Sequence, residues 1–169
     1  PLHIVGVIAL LALIIGGFYV SGNKPTPSQK NSDGKTVVSN EQSITVYREY
    51  GEMSWKDIGV SSYVKITENK VTIPNHASVK TGNGRGYVMF PDNSSIALSS
   101  STEIEISYDP KKTSIMQLIG TTYHRVKSLA SGNQYEVRTP NTLAAIRGTK
   151  LAVTYNPAVK KTWVAVTEH

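Results

Sequence analysis

From Ile44 onward the chain alternates apolar and polar positions in short runs separated by turn-forming residues, the period-two pattern of half-buried strands. The alternation predicts strands at 44–48, 53–55, 63–67, 71–73, 78–81, 86–90, 95–98, 103–108, 114–119, 123–128, 134–138, 143–146, 150–155 and 162–166. Turns fall at Glu68-Asn69-Lys70, Asn83-Gly84-Arg85, Asp109-Pro110-Lys111 and Ser131-Gly132-Asn133, each of which supplies a residue suited to positive or to fixed φ. No long run keeps a helical period, so the predicted fold class is all-β. The spacing suits a sandwich, barrel or solenoid. Such short strands favour stacked rungs that close a core between two sheets, with Ile96, Leu98, Ile104, Ile106, Ile115 and Leu118 stacking inside.

The N-terminal part breaks this pattern. Leu2 to Val20 contains no Lys, Arg, Asp or Glu, and as a helix it reaches about 28 Å, close to the thickness of a bilayer's hydrocarbon core. It is read as one N-terminal transmembrane helix over 1–21. A cleaved signal peptide is the alternative, but the run is long for one and no Ala-x-Ala-like site follows. Residues 22–43 are rich in Ser, Asn, Lys, Thr and Pro, too polar to offset the entropy of ordering, and are read as a flexible tether. That leaves 44–169 as a single all-β domain.

The segment from Tyr135 to Val153 carries the most specific pattern. Tyr135 and Val137 alternate with Glu136 and Arg138. Thr139-Pro140 then stops the ladder, because proline has no amide hydrogen to donate. Leu143 to Ile146 run up to Arg147-Gly148-Thr149, after which Leu151, Val153 and Tyr155 resume the alternation, with glycine permitting a bend or a close backbone approach. Two earlier turns belong with it: Val79-Lys80-Thr81-Gly82, and Val88 to Leu98 around Asp92-Asn93-Ser94, where Asn93 stands at a position that usually holds glycine. In this order the features resemble the signature of FecR-family domains, over roughly 51–167. Two stretches depart from it: Gly120 to His124 replaces a plainer Leu-x-x-Gly-x-Val, and Glu168-His169 stands where a Glu-Gly step is expected.

The resemblance implies a short-stranded, β-solenoid or β-sandwich-like domain held outside the membrane. Known members of the family receive a signal from an outer-membrane transporter and pass it to a sigma factor. It also implies that Thr139, Pro140, Arg147, Gly148 and Thr149 shape the chain more than they touch a ligand. Arg147 is expected to bridge neighbouring strands or backbone carbonyls at the bend. Lys24 and Lys30 taken alone favour a cytoplasmic domain, whereas the resemblance favours an extracytoplasmic one, which is the reading adopted.

Composition narrows the chemistry. Cysteine is absent, which excludes disulfides, thiol catalysis and Cys-based metal sites. His3, His76, His124 and His169 show no ligand spacing, and a lone histidine is read as surface. Glu103 and Glu105 share a strand face and read as solvated. Ser94-Ser95 and Ser99-Ser100-Ser101 lack a Gly-x-Ser-x-Gly frame, and Gly82, Gly84 and Gly86 precede no helix that could cradle phosphate. No enzyme, cofactor or metal is therefore expected. The net charge of +6 is spread along the chain without interleaved aromatics, which argues against nucleic acid and leaves attraction to an anionic envelope polymer open. Nine tyrosines and two tryptophans suit a protein-binding surface, with Tyr47, Tyr50 and Trp55 proposed as an exposed edge. The expected function is envelope signal sensing or transmission through a protein partner. A carbohydrate-binding or protein-binding scaffold module is the alternative.

Overall fold

Residues 43–127 and 129–168 are described by a computed structural model. The predicted membrane helix, and all of the tether except Ser43, lie outside the described residues. Among the described residues there is no helix, and thirteen strands follow one another. They are β1 Ile44–Tyr50, β2 Met53–Lys56, β3 Val64–Lys65, β4 Lys70–Ile73, β5 Ser78–Thr81, β6 Arg85–Met89 and β7 Ser95–Leu98. After these come β8 Glu103–Ser107, β9 Lys112–Arg125, β10 Gln134–Thr139, β11 Thr142–Ile146, β12 Lys150–Asn156 and β13 Lys161–Glu168.

The strands form two leaves that share β9. Leaf one runs β4-β1-β6-β7, continues through the second half of β9 and ends β12-β13. Leaf two runs β3-β2-β5-β8, continues through the first half of β9 and ends β10-β11. The leaves face each other. Ile44, Val46, Val88, Ile96, Leu98, Leu151 and Val153 from leaf one meet Met53, Val79, Ile104, Ile106, Ile115, Tyr135 and Val137 from leaf two in one buried cluster. Phe90, just after β6, stacks on Tyr108, just after β8, with ring centroids 5.4 Å apart. Each such aliphatic side chain contributes on the order of 1.5–3 kcal/mol by leaving water.

The sandwich half of the expectation therefore describes the fold, and rung-on-rung stacking does not. Short turns join most neighbours, and short turns connect antiparallel strands. Only β9 and β10 pair in parallel among the described strands. The second half of β9 lies in leaf one, and β10 then begins again beside the start of β9 in leaf two.

Strand β9 also corrects the predicted boundaries. Strands were expected at 114–119 and 123–128, but one 14-residue strand, Lys112–Arg125, covers the first and half of the second. Gly120, at φ +93°, turns the backbone from leaf two into leaf one without breaking the ladder. A register shift opposite Glu103 and Ile104 leaves Leu118 as a bulged residue, half-buried rather than in the core where it was expected. The inward positions then change from 113, 115 and 117 to 122 and 124.

Candidate binding site

The signature residues lie at the two ends of β11, Thr139 and Pro140 before it and Arg147, Gly148 and Thr149 after it. Thr139 closes β10 and is buried; its Oγ1 donates to Asn141 Oδ1 at 3.0 Å and lies 2.8 Å from Thr162 Oγ1. Asn141 in turn donates to the Lys160 carbonyl at 2.6 Å. The Thr139-Pro140 turn of leaf two is thus tied to the β12–β13 hairpin of leaf one, a structural role. Gly148 takes φ +72° in the bend between β11 and β12, and the following Thr149 carbonyl accepts the Val126 amide at 3.1 Å. That bond pins the bend against the end of β9. Arg147 is exposed and forms no hydrogen bond or ion pair among the described residues, so it does not bridge strands or carbonyls.

Beside this bend lies a cleft of about 400 Å³ lined by Asn93, Arg125, Val126, Lys127, Gly148, Thr149 and Lys150. Its walls come from three places far apart in sequence. Antiparallel pairing sets Arg125 directly opposite Lys150. The turn before β7 brings Asn93, at φ +65° as its left-handed position requires. The Lys127 amide donates to Ser94 Oγ at 3.1 Å, which holds that turn against the end of β9. No carboxylate lines the cleft. Asp92, the acidic residue of the turn, accepts from the Ser94 amide at 2.9 Å and from its hydroxyl at 3.1 Å. The sequence shows scattered cations; pairing of β9 with β12 is what gathers these three.

The proposed aromatic edge does not form one surface. Tyr47 points out of leaf one and stacks on Tyr87 at 4.7 Å, with Lys70 Nζ 5.6 Å from its ring. Tyr50 is exposed at the end of the same strand, whereas Trp55 shares the inward face of β2 with Met53 and packs on the core of leaf two. Neither strand is an edge: β1 lies between β4 and β6, and β2 between β3 and β5.

His124, expected at the surface, is wholly inside. Tyr135 OH lies 3.0 Å from its Nδ1, and its Nε2 lies 2.8 Å from Thr122 Oγ1. Thr122 donates to Gln117 Oε1 at 2.7 Å, and the Gln117 amide reaches the Gly120 and Val153 carbonyls at 2.6 and 3.1 Å. A neutral imidazole that accepts from Tyr135 and donates to Thr122 satisfies every member of this chain. Burial alone pushes the histidine down to about 3 from its ordinary 6.5, so it stays neutral and serves structure. Glu103 and Glu105 share the outer face of leaf two, as expected. Glu103 accepts the Tyr63 hydroxyl at 2.7 Å, while Glu105 is exposed.

Residues 77–168, more than half of the chain, match the family model described as FecR protein. The chain belongs to the FecR protein family. No curated protein and no solved structure matches it. The FecR match begins at Ala77 and not near Gly51, so β1 to β4 lie outside it, and so do Tyr47, Tyr50 and Trp55. Those four strands pair among themselves and with β5 and β6, extending both leaves at one end of the FecR segment. The cationic cleft and the Thr139-Pro140 and Gly148 corners lie entirely within the FecR segment.

Proposed function

We propose that this FecR-family chain is a binding domain in envelope signal transmission, held outside the membrane by its N-terminal helix and acting on a protein partner without catalysis. Family membership supports the signalling role, and β13 supplies the observation that carries the binding reading. It is the eight-residue outer strand of leaf one, paired only with β12 among the described strands. By register Val164 lies opposite Val153 and Val166 opposite Leu151, yet where Val153 and Leu151 are buried, Val164 and Val166 are 45% and 54% exposed. Trp163 on the other face is exposed as well. Such an edge, apolar on both faces, is normally covered or broken by charge, and an extended partner segment adding alongside it covers it with main-chain hydrogen bonds.

The location half of the proposal is tested in cells that make the full-length protein. The domain resists extraction by high salt and carbonate, and protease added outside spheroplasts digests it. Protection until lysis places it in the cytoplasm and overturns the proposal.

A further inference from the structure

The cationic cleft continues onto a second shallow depression on the outer face of leaf one. This one is lined by Tyr87, Ser95, Ala97, Tyr123, His124, Arg125, Lys150 and Leu151, so Arg125 and Lys150 belong to both. Register explains its shape. Tyr87 pairs with Ala97, Ala97 with Tyr123, and Tyr123 with Ala152. Two tyrosines thus stand about 9.6 Å apart across the sheet, with Ala97 between them and Ala152 beyond Tyr123, while Tyr47 stacks on Tyr87 from the β1 side. Tyr123 is 50% exposed.

Cations stand beside this floor. Arg125 and Lys150 are directly opposite each other across the β9–β12 pair. Register places Glu168 beside Lys150 on the far side of β12. Arg125 and Lys127, by contrast, form no ion pair among the described residues. An anion in the cleft meets two cations that lack an ion-pair partner among the described residues.

We propose that the Arg125–Lys127 cleft and the Tyr87–Tyr123 floor together bind an acidic saccharide, with its carboxylate in the cleft and its neutral rings lying over the tyrosines. The layout favours a sugar over a nucleic acid strand. A nucleic acid carries a phosphate at every unit and needs cations along the whole track. Here the cations sit at one edge of the platform and its tyrosines carry no charge, which suits a ligand in which a charged unit adjoins a neutral ring. Tyrosine presents an apolar ring face with a polar tip, as such a ligand requires. The site is independent of the β13 edge, so its failure leaves the protein-partner reading untouched.

The test titrates the full 169-residue chain with a hyaluronan hexasaccharide, which bears a carboxylate on alternate sugars. Neutral chitohexaose and a six-nucleotide oligothymidylate run in parallel. The hexasaccharide binds with Kd below about 1 mM, and chitohexaose binds at least about tenfold more weakly. Arg125→Ala with Lys127→Ala, and separately Tyr123→Ala, each weaken the hexasaccharide at least about tenfold with melting unchanged. Lys111→Ala with Lys161→Ala removes the same charge elsewhere and leaves binding as in the parent. The proposal is overturned if the control pair loses as much as the cleft pair, if oligothymidylate binds as tightly as the hexasaccharide, or if no saccharide binds.

Discussion

Gly148 and His124 show how differently single residues speak through sequence. Glycine before Thr149 was legible as a corner because glycine takes φ +72° without the Cβ strain that most residues meet there. Gly148→Val is therefore expected to lower stability by about 1–3 kcal/mol in urea unfolding. Thr149→Ala should do less, since Thr149 contributes its backbone carbonyl to Val126. His124 was illegible: which face of β9 it occupies depends on the bulge at Leu118, and no local pattern announces that. Its consequence is a pH dependence. A group whose pKa falls from 6.5 unfolded to about 3 folded stabilises fully above pH 6.5, and that contribution is lost as pH drops toward 3. The slope is about 1.4 kcal/mol per pH unit. Thermal melting should thus fall steeply between pH 6.5 and 4.5, and His124→Gln should flatten that fall. A parent with level stability over this range contradicts the buried neutral imidazole.

At the scale of elements, most strands were readable because alternation and turn chemistry agree. Asn93 takes its left-handed turn position and Gly132 a positive φ, as their turns require. The predicted break within 112–125 was read wrongly because Gly120 there changes direction without ending the ladder. A Cβ on Gly120 would press on Thr102 and come 2.6 Å from the Ser101 carbonyl, in addition to the strain of φ +93°. Gly120→Ala is expected to cost about 2–5 kcal/mol, more than Gly148→Ala, as compared by urea midpoints. Equal costs would mean that the turn between the leaves tolerates a side chain and that β9 does not depend on this glycine.

For the whole molecule, the all-β class and the family follow from order along the chain, whereas the sites follow from pairing across it. Arg125, Lys127 and Lys150 looked scattered because only the β9–β12 register joins them. Val164 and Val166 share the parity of the buried Val153 and Leu151, and they are exposed where no further strand lies beside β13 among the described residues. The proposed function requires that a partner bind through that edge. The direct measurement is the signal-dependent transcriptional response in cells whose full-length protein carries Trp163→Ser with Val164→Lys, substitutions at exposed positions that interrupt an apolar edge. With the protein present at parental level, the response is expected to be lost. An unchanged response contradicts the proposed function.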